Sequence, residues 1–117
     1  MALTLYGIPN CGTVRKARAW LEARGAAPAF VDFRETPAAP ERVEAWVAAL
    51  GAKALRNTSG GSYRALPEAK KTWDDATWAA RFAADPMLIK RPVIERDGVA
   101  VQAGFRGSDD ELASRLL

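Results

Sequence analysis

The sequence predicts an α/β fold in which a mixed four-stranded sheet is divided by a helical insertion. Three observations predict it. Short apolar runs that suit strands lie near both ends of the chain, helical periodicity fills the middle, and an Asp97-Gly98 pair between VIER and VAVQ marks a hairpin.

The first run, ALTLY (2–6), alternates Leu3 and Leu5 and is ended by Gly7 and Pro9, which predicts a strand. Through TVRKARAWLEARG, the residues Val14, Ala17 and Leu21 recur at helical spacing with Trp20 beside them, and Gly25 closes the helix. AFVDF (29–33) is a compact run rich in aromatic and β-branched residues, so a second strand follows. In ERVEAWVAALG, Val43, Trp46, Val47 and Leu50 share one face and Pro40 suits the first turn. NTSGGSY (57–63) reads as a loop by composition. The segment DDATWAARFAADP predicts a helix capped by Asp74 or Asp75, with Trp78 and Phe82 on one face and Pro86 as its stop. Strands over 93–96 and 99–102 form the hairpin, and the Ser108/Glu111 capping box starts a last helix carrying Leu112 and Leu116.

The order β-α-β, helical insert, β-β-α describes a thioredoxin-like (glutaredoxin-like) sheet whose first two strands are parallel and whose last two form an antiparallel hairpin. A chain of 117 residues fits one domain, with sheet-forming parts at about 1–34 and 88–117 and the insert at about 35–87.

Composition narrows the chemistry. The hydrophobic share is 49% and the charged share 26%, as in an ordinary globular protein, and no apolar run is long enough to span a membrane. The first residues lack the basic start of a secretory signal, and a lone thiol suits a reducing compartment, so a cytoplasmic location is expected. Seventeen basic against 14 acidic residues give a net charge of +3 without a block of like charges, so no direct nucleic-acid binding is expected. Histidine is absent. That removes Ser-His-Asp and Cys-His couples, and no metal site is expected because zinc would need carboxylates almost alone.

The single cysteine, Cys11, lies between the first strand and the first helix. There the free amides and the helix dipole stabilise a thiolate, lowering a thiol pKa from ~8.5 to roughly 3.5–7.5, and Arg15 and Lys16 act in the same direction. The amides that follow, those of Gly12 and Thr13, form an anion cradle. The competing reading is a small packed residue, and the position after a Gly-x-Pro turn rather than on an apolar face favours the reactive one. With Gly12, Thr13 and Val14 following, no second thiol stands at redox spacing, so an external thiol must resolve any adduct. Arg56, Arg91 and Arg106 each precede or follow a turn and could bring charge to the sulfur, although surface solvation is the ordinary fate of each.

Taken together, GIPNCGTVRKARAWLE, ALRNTSGGSYRAL, IKRPVIERDG and GFRGS resemble the ArsC family, the glutaredoxin-dependent arsenate reductases of thioredoxin fold and their YffB-like and Spx-like relatives. The resemblance covers essentially the whole chain and looks most like the YffB-like branch. It implies a catalytic Cys11, anion-binding roles for Arg15, Arg56, Arg91 and Arg106, and a cis bond before Pro92. It also implies glutathione as reducing co-substrate, glutaredoxin as a partner and no bound cofactor. Arsenate reductases carry a histidine four residues before the cysteine, where this chain has Gly7, and the YffB-like branch has its central-loop arginine where this chain has Ser59. The alternative implied by the Spx-like branch is a transcriptional regulator that binds RNA polymerase; with Val14 at the second cysteine position it would lack a disulfide switch.

Overall fold

In a computed structural model that describes residues 2–117, β1 (Leu3–Gly7) lies between β2 (Ala29–Asp32) and β3 (Val93–Arg96), and β4 (Val99–Ala103) forms the far edge. The β1–β2 pair is parallel, and both the β1–β3 and β3–β4 pairs are antiparallel. This is the thioredoxin-like arrangement that the element order predicts. Asp97 and Gly98 take positive φ values of 52° and 83°, the pair of left-handed residues that a tight two-residue hairpin demands.

Helix α1 (Gly12–Ala23) buries Val14, Ala17 and Leu21, the stripe spaced at three and four residues in the sequence. With α6 (Asp109–Leu116) it covers one sheet face, where Leu3, Leu5 and Ile94 meet Leu112 and Leu116. The other face packs on the insert: α2 (Pro40–Leu50), two short turns α3 (Ala52–Leu55) and α4 (Gly61–Arg64), and α5 (Asp75–Ala84). The capping expectations hold at Ser108, which accepts from the Glu111 amide, and at Asp74, which accepts from the Thr77 amide at 2.8 Å. The stretch 57–63 is not loop throughout, because α4 starts at Gly61. Its polar composition signals a turn, and the helical turn closes through the Gly60 carbonyl to the Arg64 amide at 3.2 Å.

Along β4 the pairing shifts: Gln102 stands opposite Ile94, but Ala100 stands opposite Glu95. Val101 is therefore the extra residue of a β-bulge. It turns Ala103 onto the insert side of the sheet, opposite Val93.

Tyr6, Phe33, Trp46, Trp78 and Phe82 form the aromatic core between sheet and insert. Burying one such ring contributes at most about 4–6 kcal/mol, so these rings, and not polar contacts, supply most of the attachment. One carboxyl sits among them. Glu95, 4% exposed, accepts from Arg42 at 2.7 Å, from the Trp46 indole at 2.7 Å and from the Tyr6 hydroxyl at 3.2 Å. Burial raises the Tyr6 pKa above its ordinary value and Glu95 adds to the rise, while the hydrogen bond that Arg42 donates to Glu95 raises that of Arg42. The network contributes orientation: every lone pair used belongs to one side chain on β3, and two of its three partners belong to α2.

Glu95→Gln tests this. Each carboxyl oxygen faces N–H or O–H donors, so either amide orientation sets an NH2 group against one. Stability should fall by about 1–3 kcal/mol, read as a lower urea midpoint at unchanged slope in tryptophan fluorescence.

Candidate active site

Three strand ends meet at one edge of the sheet. Tyr6 near the end of β1 is opposite Val93 at the start of β3, which is opposite Ala103 at the end of β4. The turn after β1 carries Cys11, the turn before β3 carries Arg91 and Pro92, and the turn after β4 carries Gly104, Phe105 and Arg106. The Arg91–Pro92 bond is cis, as expected.

Cys11 takes an extended backbone at the N-cap of α1, with φ −87° and ψ 123°. Its amide closes the turn onto the Ile8 carbonyl at 3.3 Å. The sulfur is half-buried and makes no cap hydrogen bond of ordinary geometry, yet the Thr13 and Val14 amides lie close enough to favour its charge. Burial pushes the thiol pKa up. The Val14 and Thr13 amides and the Arg91 guanidinium outweigh that, and the net pKa lies below the ordinary thiol value.

The sulfur opens onto a cavity of about 390 Å³. Arg91, Arg106 and Lys90 bring cations to its wall, Asn57, Thr58 and Ser59 bring polar groups from the insert, and no acidic residue lines it among the described residues. Arg91 is partly anchored by its own surroundings, donating to the Ile89 carbonyl at 3.5 Å and approaching the Met87 sulfur at 3.8 Å. Its Nε is buried with no hydrogen-bond partner among the described residues. The guanidinium charge beside the sulfur, on a wall of the cavity, is suited to an incoming anion.

The predicted set is only partly brought together. Cys11, Thr13, Arg91 and Arg106 line the cavity. Gly12 and Arg15 stand exposed on the first turn of α1 and do not. Arg56 is not among the lining residues: its guanidinium lies 5.1 Å from the centre of the buried Trp78 ring, and its Nε is enclosed with no partner among the described residues. An antiparallel bridge between Arg56 and Ile89 turns the side chain into the insert and leaves Asn57, Thr58 and Ser59 at the cavity. Sequence reasoning missed Lys90 and the 57–59 wall. The one available signal was the adjacency of Lys90 to Arg91.

Gly7 has a packing reason. A Cβ there would lie 2.8 Å from Cγ2 of Val14, a fully buried and β-branched neighbour that cannot swing away.

A sequence profile of the ArsC family matches residues 6–111. The chain is 38% identical to the YusI protein of Bacillus subtilis, over 91% of its own length and 92% of that protein's. A solved YffB protein structure superposes with a TM-score of 0.86 at 35% identity, covering 99% of this chain and all of that one. A structure of an arsenate reductase from Vibrio cholerae gives a TM-score of 0.80 at 27% identity, covering 100% of this chain and 98% of that one.

Two outcomes follow from the geometry. The rate of Cys11 alkylation by iodoacetamide should rise with pH through a midpoint below that of an ordinary exposed thiol measured alongside, and Arg91→Met should move that midpoint up. Because the folded thiol is the more acidic, its contribution to stability is present above the unfolded pKa and is lost as pH falls through the folded one. Gly7→Ala should destabilise by about 1–3 kcal/mol through overpacking. Combined with Val14→Ala it should cost at least about 1 kcal/mol less than the two single changes added, a coupling measurable by urea unfolding.

Proposed function

This chain belongs to the ArsC family, which includes arsenate reductases, and from that premise we propose that it is a glutathione-dependent monothiol reductase acting on a mixed disulfide or an arsenate-like oxyanion. The observation that carries the proposal is the chain's one thiol, acidified and facing a cavity lined by three cations and no carboxylate.

With a mixed disulfide of glutathione, the Cys11 thiolate attacks the glutathione sulfur and the substrate's own thiolate leaves. This forms a Cys11–glutathione disulfide while the substrate takes up two electrons and a proton. A second glutathione thiolate then attacks the glutathione sulfur of that adduct, releasing oxidised glutathione and restoring the Cys11 thiolate. Two glutathione moieties end as one disulfide and the substrate ends as a thiol. With an oxyanion, sulfur bonds to the central atom as one oxygen leaves as water; a glutathione thiolate then attacks the Cys11 sulfur, forming the Cys11–glutathione disulfide as the central atom departs with the bonding pair, reduced by two electrons, and a second glutathione resolves that disulfide as above. Arg91 holds the developing negative charge beside Cys11 in both cases, and Arg106 holds an outlying oxygen or carboxylate. An external reductant is required because no second cysteine exists to displace the adduct.

The test is turnover with glutathione over a panel of mixed disulfides and arsenate, read as formation of oxidised glutathione. Cys11→Ser should fall to background. Arg91→Met should lower kcat/KM by about 10- to 100-fold, the size of one charge-assisted hydrogen bond. Turnover that survives Cys11→Ser, or no turnover with any member of the panel, overturns the reading.

A further inference from the structure

We propose that Lys90 completes the cation set of this cavity in the role that Arg56 does not take, and that it makes Cys11 selective for partners bearing a carboxylate or an oxyanion. The inference deepens the proposed reading, since it assumes that Cys11 meets its substrate in this cavity.

The backbone of Lys90 is fixed first. Its amide donates to the Leu55 carbonyl at 2.7 Å, inside the same pairing that seats Arg56 opposite Ile89 and ties the Asn57 amide to the Leu88 carbonyl at 2.8 Å. One bridge therefore sends Arg56 into the insert and Lys90 to the cavity wall.

The stem of Lys90 is fixed next. It runs across Gly104, where an added Cβ would lie 2.8 Å from Lys90 Cδ and 3.2 Å from Cγ. Gly104 holds a φ of +75°, which calls for glycine there, and the missing Cβ leaves room for the stem to pass over it. A lysine stem lying in a groove has already lost much of the rotamer freedom that an exposed lysine loses only on binding.

The ammonium remains. Among the described residues no carboxylate lies within ion-pair distance of Lys90, and none lines the cavity wall on which it stands. An ammonium offers three donors and no acceptor, so the complement it lacks is an anion. The cavity is of the size that holds a small molecule, about 300 Å³ or more, with the hydroxyls of Thr58 and Ser59 available to the rest of such a ligand.

The experiment compares two alkylating agents of nearly equal size, iodoacetate and iodoacetamide, reacting with Cys11 in the native chain, Lys90→Met and Lys90→Arg. Lys90→Met keeps the length of the stem and removes the charge. Its iodoacetate rate should fall about fivefold, the size of one contact between charges in water. Its iodoacetamide rate should stay within about twofold, which also shows that the site is folded. Lys90→Arg should restore the iodoacetate rate, and salt should erode the difference between the charged and neutral agents. If both rates fall together in Lys90→Met, the residue acts through the thiol or the fold; if neither falls, its charge does not reach the site. Either result overturns the proposal. Charge selectivity that depends on Lys90 in a protein without glutathione turnover would uphold this inference while rejecting the glutathione reading.

Discussion

The register that sets Tyr6 opposite Val93 and Val93 opposite Ala103 is the constraint on which the site depends. It brings the end of β1, the start of β3 and the end of β4 to one edge of the sheet. The residues just beyond those points carry the thiol, the cis-proline turn and Arg106. A slip of one residue between β1 and β3 would turn Leu5 out of one core and Tyr6 out of the other, so burial on both faces enforces the pairing. The bulge at Val101 completes it: Ala103 reaches the insert side only because the chain spends one unpaired residue there, and the Gly104 amide then bonds the Pro92 carbonyl at 2.9 Å. The chemistry at Cys11 thus rests on strand pairing among residues that take no chemical part in it.

A second tether supplies the wall facing those turns. Leu55, Arg56 and Asn57 pair with Lys90, Ile89 and Leu88, and this short antiparallel contact attaches the insert to the segment leading into β3. Deeper in, Glu95 takes donors from α2 and β1 at once. A buried carboxyl contributes little net stability by itself, because its desolvation offsets most of the attraction. Its effect is directional: few placements of α2 over the sheet satisfy three donors at one carboxyl. Arg56 belongs to this layer too, its cation over Trp78 and its bridge to Ile89 making it part of the joint between insert and sheet.

What the sequence made legible was whatever chemistry is local. The stripe Val14, Ala17, Leu21, the Ser108 and Asp74 caps, the Asp97-Gly98 turn and the placement of Cys11 ahead of α1 each follow from residues within one or two turns of each other. The α4 turn was hidden because Gly, Ser and Asn favour a loop and a helix start alike. The bulge was hidden because VAVQA looks the same with or without an extra residue. Arg56 and Lys90 were hidden for a more general reason: which of two cations reaches a cavity is decided by a pairing across 33 positions of sequence, that of Arg56 with Ile89, and neither residue's neighbours encode it.

The lack of histidine takes on a different meaning once Gly7 is seen in place. Where the arsenate reductases that this chain resembles carry a histidine, a side chain here would collide with Val14 at its first carbon. Val14 lies fully buried, so the space such a side chain would start from is already core. The site therefore has no room at that position for a base, and none is required if the resting sulfur is ionised. Amides at the N-terminus of α1 and the Arg91 guanidinium favour that state despite the cost of burial. Their contribution is present before substrate arrives and needs no proton transfer during attack. A sulfur whose ionisation is favoured in this way depends on rigid placement, and the residue that packs the start of α1 against β1 is Val14, set against Gly7. The contact that excludes a base is thus also the one that holds in place the amides that favour the ionised sulfur.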